Sequence, residues 1–357
     1  MLLKVNFIIP FTSLTGGIRV AFLYGNYLVS KGNDVTFYFP FIPYKFKRTF
    51  VELLRSIMGN FYKKNNVKWF KNNFKIKMVP LIRNQYIDNA DITIATAWPT
   101  AYDVYNLDQN KGKKIYLIQD YEIWSGKKED VDLSYKLPMY RIVITNKLNK
   151  LLLDKFNVKS KVIYNGLNDD EFIANKSDIE NRKIKVILMQ YNEAANKGIR
   201  KGIEILETIE KKIKIKIILF GYKKGKFIPN NFEFYESPSR KILMDLYRKS
   251  DIYLFPSEYE SWGLPVMECM SNKCAIVGNN TGCLEEIGID NENAIIVDGF
   301  DKKIVEERLE KLINDDDLLN KIKENAYKLA KKFKWSNSYI SFEKCIDQLI
   351  ETDKKFI

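Results

Sequence analysis

The stretch Ile252-Tyr253-Leu254-Phe255-Pro256-Ser257-Glu258-Tyr259-Glu260-Ser261-Trp262-Gly263-Leu264-Pro265-Val266-Met267-Glu268-Cys269 decides how this chain is read. Its first four residues are apolar and run into Pro256-Ser257, as in a buried parallel strand that ends in a loop. The loop carries Glu258 and Glu260, and a helix opens near Leu264-Pro265, proline being suited to a first helical turn. Glu260 and Glu268 stand eight positions apart with Gly263 between them. In an open α/β sheet, ligands sit beyond the carboxyl ends of the strands. A loop followed by a helix start offers N–H groups, here from about Ser261 through Trp262, Gly263 and Leu264 to Val266, that can bind phosphate oxygens without a metal. Gly263 lets the backbone approach closely. Glu268, one turn into the helix, can accept hydrogen bonds from a vicinal diol such as a ribose, and Glu260 from the hydroxyls of a second sugar. Two acids flanking an anion-binding helix start suit a nucleotide-sugar better than a bare phosphate.

Working outward, the surroundings read as two α/β halves. Before the central stretch, strands are expected at Val5–Ile9, Asp34–Phe39, Ile92–Ala95, Ile115–Ile118, Arg141–Thr145 and Val162–Tyr164. Helical spacing from Ile18 to Val29 follows a loop with a Gly16-Gly17 pair, and a further helix is expected at Asn146–Phe156. After a polar stretch from about Asn168 to Lys183 the alternation restarts. Strands are expected at Lys185–Met189, Ile215–Phe220, Ile252–Phe255, Ala275–Val277 and Ala294–Val297. Helices are expected at Gly198–Ile213, Arg240–Lys249, Pro265–Ser271 and Lys302–Leu312. Strands alternating with helices argue for parallel sheets. The 357 residues exceed what one hydrophobic core usually organises, which agrees with two domains.

Composition excludes several chemistries. There is no histidine, hence no Ser-His-Asp triad, no Cys-His pair and no imidazole zinc site. Acid, base and charge-stabilising work falls to Glu, Asp, Lys, Arg, Tyr or the backbone. Cys269, Cys274, Cys283 and Cys345 form no C-x-x-C pair, and so few thiols suit a reducing compartment. The apolar start ends at Pro10, too short for a signal peptide, and no run approaches the roughly 18 apolar residues of a membrane span. A cytoplasmic protein is expected, soluble or peripheral on the inner face of the cell membrane. The net charge of +13 calls for an anionic partner. Between Tyr44 and Met78, Lys45, Lys47, Arg48, Arg55, Lys63, Lys64, Lys68, Lys71, Lys75 and Lys77 are met by one acid, Glu52. Phe46, Phe50, Leu53, Leu54, Ile57, Met58, Phe61, Tyr62, Trp69, Phe70 and Phe74 are interleaved with them. Residues 44–78 thus read in part as a basic amphipathic helix for an anionic membrane surface, the alternative being a lysine-rich solvated face. No nucleic-acid-binding motif accompanies the basic run.

Glu260 to Glu268 resembles the E-x7-E motif of retaining glycosyltransferases of GT-B architecture, particularly glycosyltransferase family 4. Leu246-Tyr247 and Ser250-Asp251 resemble that family's lead-in to the motif, and Thr281-Gly282-Cys283-Leu284-Glu285 its following "GG..E" loop. Val162-Ile163-Tyr164-Asn165-Gly166 resembles the segment before the linker, Phe333–Ser336 the element before the closing helix, and Gly16-Gly17 the glycine loop near the donor phosphates. Leu117–Glu122 with Thr96–Thr100 looks like a rhamnosyltransferase-type branch. The resemblance implies two Rossmann-like domains facing a cleft. One is expected to bind the acceptor, residues 1–170 plus 338–357, the C-terminal helix crossing back to it. The other, residues 171–337, is expected to bind the donor.

The resemblance also implies roles. Glu268 would bind the donor ribose and Glu260 the transferred sugar; otherwise both are exposed acids. The family usually supplies an Arg and a Lys to the donor diphosphate. Here Lys197 is favoured, with Arg200 or Lys201 assisting, although the residue five before either Lys is Asn192 or Asn196 and not Arg. Gly16, Gly17 and Arg19 are further phosphate candidates, or else a tight turn and a surface cation. Trp98, Asp120, Tyr121 and Glu122 are candidates for the acceptor side, Asp120 for orienting its hydroxyl; the alternative is capping and core packing. Trp124 could stack on a sugar. Asp130-Val131-Asp132 is a D-x-D in an acidic loop and is set aside as a metal site.

The expected function is retaining, metal-independent transfer of a hexosyl or deoxyhexosyl group. It would pass from a nucleotide-diphosphate-sugar to a polysaccharide or lipid-linked saccharide in cell-surface glycan synthesis, with no cofactor. A non-enzymatic module for anionic lipid or polymer, or a GT-B epimerase or hydrolase, are the other readings.

Overall fold

A computed structural model of the chain describes residues 2–46, 50–61, 67–172 and 183–354. Its contacts divide the chain into two units, Met1–Tyr164 with Ser338–Ile357, and Asn165–Asn337.

Unit 1 contains β1 (Lys4–Ile8), α1 (Gly16–Ser30), β2 (Asp34–Pro40), α2 (Phe50–Phe61), β3 (Lys75–Val79), β4 (Ile92–Ala95), α3 (Trp98–Tyr105), β5 (Lys113–Ile118), α4 (Lys128–Lys136), β6 (Tyr140–Val143), α5 (Asn146–Phe156) and β7 (Lys161–Val162). The strands form one parallel sheet in the order β3-β2-β1-β4-β5-β6-β7. Its inner strands are almost wholly buried, which is why they read as continuous apolar runs. Thr15 and Thr145 cap α1 and α5 by accepting from Ile18 N and Leu148 N.

Unit 2 contains β8 (Val186–Tyr191), α6 (Ile199–Lys212), β9 (Lys216–Gly221), β10 (Glu233–Glu236), α7 (Arg240–Lys249), β11 (Ile252–Phe255), α8 (Leu264–Met270), β12 (Ala275–Gly278), α9 (Cys283–Ile287), β13 (Ile295–Ile296), α10 (Lys302–Asn314) and α11 (Asp316–Ala330). Its parallel order is β10-β9-β8-β11-β12-β13. Each sheet therefore reverses its winding once, at β1/β4 and at β8/β11, and ligands favour such switch points beyond the strands' carboxyl ends.

The closing helix α12 (Trp335–Lys354) packs back on unit 1. Its Phe342 stacks on Tyr24 at 4.2 Å, Glu343 accepts from Tyr27 OH at 2.6 Å, and Ser338 Oγ donates to Tyr164 O at 2.6 Å. The chain joins unit 2 at Asn165, ahead of the expected 171. Leu167 N donates to Phe333 O, Trp335 N donates to Leu167 O, and a Cβ on Gly166 would lie 2.3 Å from Trp335 N.

The basic stretch corrects its expectation in part. Lys75 and Lys77 belong to the edge strand β3, where they pair with Asp34 and Asp88. Trp69, Phe70 and Phe74 are not a membrane-facing surface. All three rings pack on Phe22, and Trp69 Nε1 donates to Thr12 O. What remains is α2, which exposes Val51, Leu54 and Met58. Lys47, Arg48, Tyr62, Lys63 and Lys64 lie outside the described residues, as do residues 173–182 of the polar linker and the side chains of Phe50, Leu53 and Phe61. No described helix is long and apolar enough to cross a membrane.

Candidate functional site

At the switch point of unit 2, the loops after β8 and β11 are stitched together. Glu258 N donates to Asn196 O at 2.8 Å and Asn196 Nδ2 to Tyr259 O at 3.2 Å. Gly198 makes the crossing possible. Its φ is +59°, and a Cβ there would lie 2.1 Å from Pro256 O, so only glycine fits. The result brings Lys197, from a tight turn at Ala195–Lys197, onto Glu260, which accepts from its ammonium. Both side chains keep about a fifth of their surface in solvent, 22% and 20%.

The following loop supports Glu260 from below. Its backbone N–H donates to Thr281 Oγ1 at 3.2 Å, and Cys283 N donates to Trp262 O at 2.6 Å. A Cβ on Gly282 would lie 2.8 Å from Trp262 O and 3.0 Å from Glu260 Cβ, the close approach that the Thr281-Gly282 pair allows. Burial beside Glu260 pushes the Cys283 thiol well above its ordinary range, which suits an inert packing role.

Glu268 lies on the inner face of α8, and its side chain is 3% exposed. One oxygen accepts from Arg240 Nη1 at 2.8 Å and the other from Tyr247 OH at 2.9 Å. Arg240 and the Glu171 carboxylate that it also engages were invisible to motif reading, since no fixed spacing links them to Glu268. Three further details bear on these readings. Trp262 is a core residue, 2% exposed, against Phe333. The Val266 N–H is committed to Gly263 O at 3.0 Å. Arg200 stacks on Phe227 at 4.4 Å and Lys201 reaches toward Gly299 O, so of the three cations Lys197 alone is drawn to Glu260. Ser261, Gly263 and Leu264 do form the loop and first turn leading into Glu268, with Gly263 at φ +86°.

In unit 1, Gly16 and Gly17 form the first turn of α1, whose next residues carry Arg19. Gly17 O accepts from Gln119 Nε2 at 3.0 Å, tying the glycine loop to the segment after β5. That segment is heavily engaged. Asp120 accepts from Tyr121 N and, with its other oxygen, from Trp124 Nε1 at 2.9 Å, so it holds a 64% exposed indole. Glu122 Oε2 accepts from Trp98 N at 2.7 Å at the start of α3. Burial raises the Glu122 carboxyl to about 8, the Trp98 N–H opposing this in part and the Asp120 charge adding to it. Trp98 is half-buried: Nε1 donates to Ser125 Oγ and the indole packs on Gly126. Tyr121 OH donates to Asp132 Oδ1 at 2.6 Å. The D-x-D lies in helix α4 and not in a loop, and Asp132 is occupied by Tyr121, Lys128 and Lys155. Among the described residues no cluster of three carboxylate or thiol side chains is arranged to hold a metal ion.

Comparison with known proteins bears on unit 2 and on the fold. Residues 169–329, most of unit 2, match the family described as glycosyl transferases group 1. An uncharacterised glycosyltransferase of Methanocaldococcus jannaschii is 28% identical over 223 residues, 58% of this chain and 60% of that protein. A D-inositol 3-phosphate glycosyltransferase of Corynebacterium jeikeium is 35% identical over 108 residues, 30% of this chain and 26% of that protein. The matched part thus spans 60% or less of these relatives' lengths. Sucrose-phosphate synthase of Thermosynechococcus elongatus has the same fold, with a TM-score of 0.73 at 12% identity over 98% of this chain and 99% of that one. So has Anabaena HepE solved in complex with UDP-glucose, with a TM-score of 0.70 at 14% identity over 99% and 100%.

Proposed function

We propose that the chain is a group 1 glycosyl transferase, the family that residues 169–329 match, and that on its GT-B fold it transfers a sugar from a nucleoside-diphosphate sugar with retention of configuration. The observation that carries this reading is the meeting of Lys197 and Glu260 at the switch point of unit 2, on the stretch that also supplies Glu268. Lys197 offers positive charge to the leaving diphosphate, Glu260 binds hydroxyls of the transferred sugar, and Glu268 takes the ribose. Backbone N–H groups from Ser261 to Leu264 and, in unit 1, Gly16, Gly17 and Arg19 are the further phosphate contacts of this proposal. The bond from the anomeric carbon to the diphosphate oxygen breaks and the acceptor oxygen bonds on the same face. The acceptor proton passes to the leaving diphosphate. Chemistry of this kind is positioning plus electrostatic stabilisation, which needs no histidine.

We assign the acceptor to unit 1, with Trp98, Asp120, Tyr121 and Glu122 beside it, and take it to be a polysaccharide or lipid-linked saccharide of the cell surface. The exposed row Val51, Leu54 and Met58 on α2, within the basic stretch, supports docking on an anionic membrane. Co-sedimentation with phosphatidylglycerol vesicles, and not with phosphatidylcholine, should weaken with salt; binding indifferent to both refutes it.

The test of function is a panel of UDP-, GDP- and dTDP-sugars, UDP-glucose first because a structural neighbour was solved with it. The product anomer read by NMR should match the donor. An inverted product overturns retention, and no affinity for any member overturns the reading. Turnover undiminished by EDTA is expected; activity lost there and restored by a divalent cation overturns metal independence.

A further inference from the structure

Glu268 is held by more than its own helix. Arg240 spans two carboxylates, Nη1 on Glu268 and Nη2 on Glu171. The Glu171 and Glu268 side chains are 5% and 3% exposed, while Arg240 keeps 38%. The backbones are locked together as well. Ser271 Oγ donates to both Glu171 O and Glu268 O at 2.9 Å, and Asn272 Nδ2 reaches the same two carbonyls at 3.0 and 2.8 Å. The turn at Asp169–Glu171, the end of α8 and the start of α7 thus form one closed network around a single guanidinium.

Two carboxylates buried side by side repel and need a counter-charge. The guanidinium between them supplies it, and its rigid fork suits two acceptors at once. The two carboxylates in turn raise the Arg240 pKa against the lowering effect of burial. With Arg240 on one oxygen and Tyr247 on the other, Glu268 is fixed in one rotamer. An ionised carboxylate is acceptor-only with about four lone-pair positions, which matches the two O–H donors of a ribose diol.

We propose that Arg240, anchored by Glu171, is a positioning residue that makes Glu268 selective for ribonucleotide over 2′-deoxyribonucleotide donors. This rests on the reading of Glu268 as the ribose-binding group. Removing Arg240 alone would leave two buried charges facing each other, so Glu171→Gln/Arg240→Met is the better variant: it leaves the cluster's net charge unchanged.

The experiment measures calorimetric affinities of UDP, GDP and ADP, and of their 2′-deoxy counterparts, for the wild type, Arg240→Lys and the double variant, with thermal melts as a check on folding. A hydrogen bond to a charged group predicts a wild-type preference for the ribo form of about ten- to a hundredfold. The double variant should bind both forms alike. Arg240→Lys should fall between, since an ammonium cannot reproduce the fork. A folded double variant with the wild-type ratio overturns the proposal. Should it fail to fold, Arg240→Lys decides, and an unchanged ratio there overturns it equally. A wild type that binds ribo and deoxy forms alike refutes the selectivity while leaving the donor site standing; one that binds no diphosphate refutes the donor reading as well.

Discussion

Lys197 Nζ donates to Glu260 Oε1 although 63 positions separate the two residues, on loops that leave the neighbouring strands β8 and β11. Neither is deeply buried, so breaking the pair should change stability by only ~1 kcal/mol or less. A group that stabilises developing charge is worth far more in the transition state, about 10²–10³ in kcat. Lys197→Met and Glu260→Gln are each expected to lower sugar transfer about a hundredfold or more, with urea midpoints close to wild type. Turnover at the wild-type rate in either variant would sink the assignment.

The Glu122 carboxyl titrates near 8 in the folded chain against 4.5 for the free side chain, chiefly because of burial. The folded state binds this proton more tightly, so its contribution to stability is complete below about pH 4.5 and is lost as pH rises through about 8. Glu122→Gln keeps an acceptor for the Trp98 N–H and removes the titration. Its melting temperature should gain on the wild type between about pH 4.5 and about pH 8. A difference that stays constant over that range contradicts the raised pKa.

Much of this was legible because parallel strands buried on both faces are continuous apolar runs, and Val5–Ile8 and Ile252–Phe255 are read without ambiguity. The edge strands β3 and β10 were not: Lys75–Val79 alternates lysine with apolar residues, and among so many cations it looked like a surface helix. The aromatic run from Trp69 to Phe74 misled for the same reason, since composition alone does not tell a core cluster around Phe22 from an interfacial one. Glu260 lies in the loop after β11 and Glu268 one turn into α8, the positions their spacing implied. Arg240 and Glu171 stayed hidden because their meeting with Glu268 depends on three elements folding together.

Gly198 is where that sheet geometry is least tolerant. A methyl group there would lie 2.1 Å from Pro256 O, and the residue already sits at φ +59°. Gly198→Ala should therefore part the two stitched loops, costing about 1–3 kcal/mol. It should also weaken nucleotide binding more than Gly16→Ala, since a Cβ on Gly16 meets nothing within 4 Å. Equal donor affinity in the two variants would show that the Asn196–Glu258 crossing does not shape the site.

Below the sheet, Asp251 anchors the start of β11. Its Oδ2 accepts from Val186 N at 3.0 Å and its Oδ1 from Lys323 Nζ at 2.7 Å, with the residues 2% and 8% exposed. This explains why an aspartate stands directly before an apolar strand: it satisfies the first N–H of β8 and fixes α11 to the sheet with one carboxylate. Lys323→Met would leave that carboxylate buried without its counter-ion, at a cost of about 3–5 kcal/mol. Asp251→Asn/Lys323→Met keeps an oxygen for Val186 N and buries no net charge, so it should recover part of the loss. Urea unfolding of the two variants checks both statements. A single-variant loss of ~1 kcal/mol or less, the size typical of a solvent-exposed pair, would show that water reaches the pair and screens it.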